Sequence, residues 1–211
     1  VERAGINPEL VTEVIFGNCL MAGQGQAPAR QAAFKGGLPK SAGAVTLSKM
    51  CGSGMRAAMF AHDMLVAGSH DVLVAGGMES MTNAPYLLPD ARAGMRMGDK
   101  KVIDSMMFDG LFCAIDQVPM GGGTEKYAGA AGLTRDEQDQ VAYLSNERAA
   151  RAQKDGLFDN EIVNVEIPQR KGDPVVFNAD EYLNRKTNAE VLAGLRAAFD
   201  KAGSVTAGNA S

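Results

Sequence analysis

Apolar and polar positions alternate in a regular order along the first 77 residues of the chain. Three segments rich in β-branched or apolar residues predict strands, namely VTEVIFGNCL (11–20), AVTLSKM (44–50) and DVLVAGG (71–77). PARQAAFKGG (28–37) begins with proline and ends with glycines, which is typical of a helix. Residues 53–67 carry few polar side chains and predict a helix that is buried nearly all round. This order predicts an α/β fold with a parallel sheet, its third strand covered on both faces.

The pattern changes after Gly77. Residues 78–132 contain repeated methionine, glycine and proline without a sustained period, which predicts loops and short helices. Within them, GGGT (121–124) has no lysine in the position that a phosphate-binding loop requires, so we interpret it as an ordinary turn.

Regular structure is predicted again in the last third of the chain. Thr134 and Glu137 have capping-box spacing, and we expect a helix that begins there and ends near Gly156. EIVNVEIP and PVVFN flank turn residues and predict a two-stranded ribbon. An amphipathic helix is expected over about 188–201, and SVTAGN then predicts a strand that returns to the sheet.

The composition narrows the class of protein. The chain has 211 residues, 45% of them hydrophobic, and a net charge of −4, which argues against non-specific nucleic-acid binding. No apolar run approaches the roughly 20 residues that a membrane span needs. We therefore expect a soluble cytoplasmic protein, with an organelle matrix as the alternative, and no nucleic-acid or membrane partner. Three cysteines do not predict a disulfide framework.

Cys51 is the candidate for chemistry. It precedes Gly-Ser-Gly at the start of a predicted helix, where the helix dipole favours a thiolate, the nucleophilic form of cysteine. The alternative is a packing role, which we expect for Cys19 and Cys113. His62 lies about 16 Å along the same helix and His70 further still, so neither can act as its base. Either Cys51 is inert or its base lies in sequence outside these residues.

Five motifs, in this order, resemble those of the thiolase family: CGSGMRAA (51–58), AGGMESMTNAPYLL (75–88), MGDKKVIDSMMFDGL (97–111), LTRDEQD (133–139) and VTAGNAS (205–211). The resemblance covers essentially the whole chain and implies the N-terminal half of a thiolase without its first strand and helix. It implies a layered αβαβα fold with an inserted α+β loop domain. On this basis residues 1–77 belong to the N-terminal half, 78–201 form the loop domain over the active site, and 202–211 return to the core sheet.

The resemblance also implies a function. A thiolase of the acetyl-CoA C-acetyltransferase type would carry an acyl group on Cys51 as a thioester and pass it to acetyl-CoA or CoA. The backbone N–H of Cys51 would help to stabilise the oxyanion. The family's activating histidine and second cysteine belong to its C-terminal half, so we expect these residues alone to be inactive. A non-catalytic interaction half is therefore an alternative.

Further expectations follow for the ligand and the assembly. Coenzyme A or acetyl-CoA would be the substrate, with no covalently bound cofactor and no metal, and the protein would be a homodimer or homotetramer. Arg185 is a looser match for a basic residue near the nucleotide phosphate. The other implied CoA contacts are Leu111, Met120, Ala198, Phe199, Ala207 and Ser211.

Pro119 is a departure from the family pattern. Many acetoacetyl-CoA thiolases have histidine there, and proline supplies no equivalent side-chain hydrogen bond. This leaves a broad-chain degradative 3-ketoacyl-CoA thiolase of fatty-acid β-oxidation as an alternative. A decarboxylating ketoacyl synthase of the same superfamily would have a different loop pattern.

Overall fold

The computed structural model describes residues 1–210 and divides into two compact units. We call Val1–Phe112 the sheet unit and Cys113–Ser211 the helical unit. The domain boundaries after residues 77 and 201 stay a prediction. Among the described residues, no helix has both the length and the apolar character that a membrane crossing requires.

The sheet unit is built on three parallel strands, as the sequence predicts. The strands are β1 (Glu13–Gly17), β2 (Gly43–Leu47) and β3 (Leu73–Gly77), in the order β2-β1-β3. Gly17 aligns with Leu47 on one side and with Gly77 on the other, so all three strands end at the same edge of the sheet. Side chains that follow these strand ends are therefore brought together.

A helix covers each face of this sheet. The helix α1 (Pro28–Lys35) packs on the face that carries Val14, and α2 (Ser53–Val66) packs on the face that carries Ile15. Successive strand residues point to opposite faces, so Val14 and Ile15 anchor two separate apolar clusters. The remaining elements of this unit are short: two 3₁₀ turns (Glu2–Ala4 and Pro8–Leu10), β4 (Tyr86–Leu87), β5 (Ile103–Asp104) and a π-helical turn (Met106–Leu111).

The prediction that α2 is buried nearly all round is wrong for this chain. Ala57 and Ala61, four residues apart, face the sheet and are buried, whereas Met55 is 75% exposed. A single sheet covers only one face of a helix, and the apolar residues of the other face remain in solvent. The strand β3 lies at the edge of the sheet and is only partly buried, although Val74 packs on the apolar cluster of one face and Leu73 on that of the other, as predicted for a strand covered on both faces.

The capping box and the two-stranded ribbon that the sequence predicts are both present in the helical unit. Thr134 caps α4 (Arg135–Lys154) with the reciprocal bonds of a capping box, and Gly156 follows the helix with a left-handed φ of 70°. The strands β8 (Val165–Ile167) and β9 (Val175–Phe177) pair in antiparallel fashion. The other elements in this part of the chain are β6 (Phe112–Cys113), β7 (Val118–Pro119), α3 (Met120–Ala130) and α5 (Ala189–Ala193).

The stretch 121–124 is not a turn. It forms the first turn of α3, and the ring of Phe199 occupies the space that a side chain at Gly121 would need. A run of glycines is a poor helix former in isolation, so this tertiary packing decides the conformation.

The last predicted helix is much shorter than expected. Instead of residues 188–201, α5 covers only five residues, because the Arg135 guanidinium donates to the carbonyls of Leu192 (2.6 Å) and Leu195 (3.1 Å) and occupies the helix end. In the segment that follows, Thr206 forms an isolated bridge with Ala197. The return of residues 202–211 to the core sheet stays a prediction.

Candidate active site

Two glycines at the edge of the sheet allow α2 to begin very close to the strand ends. A Cβ atom on Gly17 would lie 2.6 Å from the Cβ of Ser53, a distance that real side chains do not reach. A Cβ atom on Gly77 would lie 3.6 Å from the Cα of Gly54. The absence of a side chain at Gly17 is therefore required for this approach. In open α/β sheets this carboxyl edge is where ligands bind.

Cys51 lies in the tight connection between β2 and α2. Its side chain is exposed, and it stands two residues before the first residue of the helix. The preceding residue, Met50, has a φ of 50°, in the left-handed region that residues with a Cβ rarely adopt. Strained strand-to-helix turns of this type present nucleophiles in other α/β enzymes.

Ser53 closes this turn with hydrogen bonds at both ends. Its hydroxyl donates to the Met50 carbonyl (2.6 Å) and accepts from the Lys49 N–H (2.8 Å), and its own N–H donates to Met50 as well (3.0 Å). Ser53 is 4% exposed, so these bonds are largely shielded from water. The conformation around Cys51 is therefore fixed by buried polar contacts.

Cys51 and the predicted residue Leu111 line the same cavity, which has a volume of about 410 Å³. Much of the remaining surface is apolar and contains flexible thioethers, which adapt to irregular apolar groups. Its other large apolar lining residues are Leu20, Met50, Met78, Met81 and Met106.

Two polar residues of this cavity were missed in the sequence. Asn18 is 1% exposed, donates to Gln24 Oε1 (2.6 Å), and has a buried Oδ1 without a hydrogen-bond partner in the described residues. Glu79 accepts from the N–H groups of Cys19 (2.8 Å) and Leu20 (3.1 Å). Both stand within two residues of a strand end. A polar residue just after a predicted parallel strand indicates a position at the ligand-binding edge of the sheet, so the sequence pattern could have identified them.

The two histidines of the chain have other partners. His62 Nδ1 lies 3.3 Å from a carboxylate oxygen of Asp63, and both side chains are largely exposed. His70 Nδ1 lies 2.8 Å from the hydroxyl of Thr12. That neither histidine serves Cys51 stays a prediction.

The other predicted CoA contacts belong to the helical unit. Phe199 packs on the first turn of α3, which begins at the half-exposed Met120, and the N–H of Ala198 donates to the Val205 carbonyl (2.8 Å). Ala207 lines a second cavity of about 610 Å³. Arg185 is exposed and donates to Gln153 Oε1 (2.8 Å). Ser211 lies outside the described residues.

Two carboxylates, the partly buried Glu125 and the buried Asp139, hold the segment around Ala207 in place. Glu125 accepts from the N–H groups of Ser204 (2.9 Å) and Val205 (2.7 Å). Asp139 accepts from Asn209 Nδ2 (2.8 Å) and from the Arg135 guanidinium (2.7 Å). No local sequence pattern predicts these contacts.

Comparison with known proteins identifies the family. The family described as the thiolase N-terminal domain matches residues 1–211. The chain belongs to the thiolase family. It is 52% identical over 211 residues to a Cupriavidus necator protein named acetyl-CoA acetyltransferase, and 48% identical to a Staphylococcus aureus (strain COL) protein named probable acetyl-CoA acyltransferase. Each alignment covers 100% of this chain and 54% of the relative, so this thiolase chain spans about half the length of these relatives.

Solved structures agree with this assignment. The crystal structure of the Bacillus anthracis acetyl-CoA acetyltransferase matches 99% of this chain and 52% of that chain, with a TM-score of 0.91 and 39% identity. The Syntrophomonas wolfei acetyl-CoA acetyltransferase matches 97% of this chain and 51% of that chain, with a TM-score of 0.86 and 41% identity. The predicted fold class, the N-terminal half of the thiolase fold, is confirmed.

Proposed function

We propose that this chain is the N-terminal half of an acetyl-CoA C-acetyltransferase in which Cys51 carries the acyl group. The observation that carries the proposal is the position of Cys51, exposed in a strained turn and lining an apolar cavity at the carboxyl edge of the sheet. The names of the relatives give independent support for the type of reaction.

In the first half-reaction, the Cys51 thiolate attacks the carbonyl carbon of an acyl-CoA thioester. The tetrahedral oxyanion collapses, the CoA thiolate leaves and takes up a proton, and the acyl group stays on Sγ as a thioester. Cys51 stands just before the first residue of α2, and its N–H is the proposed oxyanion donor.

In the second half-reaction, the acyl group leaves Cys51. For condensation, acetyl-CoA loses a proton from its methyl carbon, and the resulting carbanion attacks the acyl-enzyme to form a carbon–carbon bond and release the Cys51 thiolate. In thiolysis the Cys51 thiolate first attacks the 3-keto carbon of a ketoacyl-CoA, the carbon–carbon bond breaks, and the acetyl-CoA carbanion that leaves takes up a proton. The CoA thiolate then attacks the acyl-enzyme thioester, forms the shortened acyl-CoA and releases the Cys51 thiolate. The base for these proton transfers is proposed to come from the part of the relatives that this chain does not span.

In the sheet unit, Leu111, which lines the Cys51 cavity, is a proposed CoA contact. In the helical unit, the proposed contacts are Met120, Ala198, Phe199, Ala207 and Ser211, with Arg185 near the nucleotide phosphate. The exposed apolar face of α2, including Met55, supports further association, and a homodimer or homotetramer in the cytoplasm is the proposed assembly.

The test uses the full-length protein that contains this chain. Replacing Cys51 by serine is expected to lower thiolysis of acetoacetyl-CoA by at least about 1,000-fold, because the variant loses the nucleophile. Peptide mass spectrometry after incubation with acetyl-CoA should find one acetyl group on the peptide that contains Cys51. The matched variant Cys113→Ser should keep the wild-type rate. Undiminished turnover in Cys51→Ser, or an acetyl group on another residue, would overturn the proposal.

A second candidate is a broad-chain degradative 3-ketoacyl-CoA thiolase. Pro119 stands at the N-cap of α3, and its side chain cannot donate a hydrogen bond to the pantetheine arm. Comparing kcat/KM for ketoacyl-CoA substrates of increasing length separates the two functions. Measurable thiolysis of chains longer than acetoacetyl-CoA supports this candidate, and a sharp loss after acetoacetyl-CoA contradicts it.

A further inference from the structure

Cys19 has no part in the chemistry described above, yet its thiol contacts the turn that carries the nucleophile. Its Sγ lies 3.2 Å from the Met50 carbonyl oxygen, in donor geometry, and 3.5 Å from the hydroxyl of Ser53. Cys19 follows β1, whereas the turn follows β2, so this contact joins two separate segments of the chain. A simple packing role does not account for a thiol that donates to this carbonyl.

The Met50 carbonyl is an unusual acceptor. It receives the N–H of Ser53 (3.0 Å), the hydroxyl of Ser53 (2.6 Å) and the thiol of Cys19 (3.2 Å). The left-handed φ of Met50 is unfavourable for a residue with a Cβ and persists only where the surrounding structure holds it. These three hydrogen bonds keep Met50 in this conformation. Two of them come from Ser53, within the turn itself, and the third comes from Cys19.

Cys19 is itself fixed in position by Glu79. The carboxylate accepts from the backbone N–H of Cys19 (2.8 Å) and of Leu20 (3.1 Å). Each of the three parallel strands is thus followed by one residue of this hydrogen-bonded network: Cys19 after β1, Met50 after β2 and Glu79 after β3. The rigid sheet thereby determines the conformation of the residue that precedes Cys51.

We propose that Cys19 is a positioning residue for Cys51. Its thiol, anchored by Glu79, holds the Met50 carbonyl and so keeps the Cys51 Sγ aimed into the cavity. Cys19 forms no bond to the acyl group. The effect of Cys19 on kcat rests on the proposed function of Cys51. Its effect on the alkylation rate of the Cys51 thiol does not, because that rate depends only on the geometry of the turn.

The experiment compares Cys19→Ala with Cys19→Ser in the full-length protein. Alanine removes the donor, and we expect kcat to fall about tenfold with KM unchanged, because small displacements of a reacting group are costly. Alkylation of Cys51 by iodoacetamide, followed by peptide mapping across a range of pH, should slow by a similar factor. Serine keeps a donor to the same carbonyl and should return both rates to within about twofold of wild type.

Cys113→Ala is the matched control. The Cys113 thiol is also half-buried and also bonded to backbone, since it accepts from the Asp116 N–H (3.3 Å), but it belongs to the helical unit. This variant should keep the wild-type kcat and the wild-type alkylation rate of Cys51.

Three outcomes would overturn the inference. Wild-type rates in Cys19→Ala would mean that the turn needs no thiol, and equal losses in Cys19→Ala and Cys19→Ser would mean that sulfur volume matters rather than the hydrogen bond. A lower melting temperature with unchanged kcat and alkylation would assign Cys19 a purely structural role. If Cys51→Ser keeps full turnover while Cys19→Ala slows Cys51 alkylation, the proposed function fails and the positioning role stands.

Discussion

The sheet unit and the helical unit differ in the kind of segment that their buried contacts hold. In the sheet unit, apolar side chains such as Val11, Val14 and Ile15 lie on both faces of a parallel sheet, and the polar Asn18, Ser53 and Ser105 are buried as well. In the helical unit, Asp139 and Thr206 are buried alongside the apolar residues, and the Glu125 carboxylate holds an irregular segment by its backbone N–H groups.

This difference affects how each unit responds to substitution. Apolar packing holds the strands of the sheet unit against their helices, whereas hydrogen bonds hold the turn at Cys51. The stability of the sheet itself therefore depends on the shape and volume of its buried side chains. The segment that contains Ala207 has little regular structure and depends on hydrogen bonds to charged groups. We therefore expect the sheet unit to be sensitive to changes of volume and the helical unit to changes of charge.

The largest effect is expected for Ile15→Ala. Ile15 is 1% exposed and packs against Ala57 and Ala61 of α2, so truncation leaves a cavity between sheet and helix. We expect the free energy of unfolding of the chain to fall by about 2–5 kcal/mol, measured by urea titration. The control is Ile115→Ala, because Ile115 is 92% exposed and its truncation should change stability by less than about 0.5 kcal/mol. Equal losses in the two variants would contradict the comparison.

Asp139→Asn is expected to have a smaller but clear effect. The carboxylate accepts from Arg135 (2.7 Å) and Asn209 (2.8 Å), and its side chain is 11% exposed. Removing the charge should lower the free energy of unfolding by about 1.5–3 kcal/mol, the range for hydrogen bonds to charged groups.

The same helix offers a matched control for this charge change. Glu147 and Arg151 also form an i,i+4 pair on α4, but at 3.6 Å and with both side chains well exposed. Glu147→Gln should therefore cost no more than about 0.5 kcal/mol in the same urea titration. A cost for Asp139→Asn no larger than this would mean that the buried network does not stabilise the helical unit.

Local sequence signals were enough to predict much of the fold. The proline that begins α1, the capping box of α4 and the apolar runs of the three strands act within a few residues of their own position. Long-range contacts account for the errors. Arg135 donates to the end of α5, although it lies 57 residues from Leu192 in sequence. Phe199 packs on Gly121, which lies much earlier in the sequence.

The candidate site likewise combines residues that local sequence predicts with residues that only long-range contacts bring together. Cys51 was predictable because its turn and its helix are adjacent in sequence. Asn18 and Glu79 were not assigned roles, and Cys19 was expected only to pack, because the register of β1 and β3 brings together residues that lie 60 positions apart, as in the bond from Cys19 to Glu79. A sequence pattern indicates the strands but does not give the contacts between their ends.

The smallest expected effect concerns the capping box of α4, where a charge acts at the protein surface. Hydrogen bonds from the N–H and then the hydroxyl of Thr134 hold the pKa of the Glu137 carboxyl below its ordinary value of 4.5. Folding therefore favours the carboxylate, and its contribution to stability is complete above pH 4.5 and is lost as the pH falls through the lower value of the folded protein.

The unfolding free energy of wild type should accordingly exceed that of Glu137→Gln at neutral pH, and the two curves should converge below pH 4.5. Glutamine does not titrate, so the variant lacks this part of the pH dependence. Glu166→Gln, at an exposed position of β8, is the control for the loss of one surface carboxylate. If Glu137→Gln instead follows the wild-type curve at every pH, the capping carboxylate makes no measurable contribution, and charge matters in the helical unit only where it is buried.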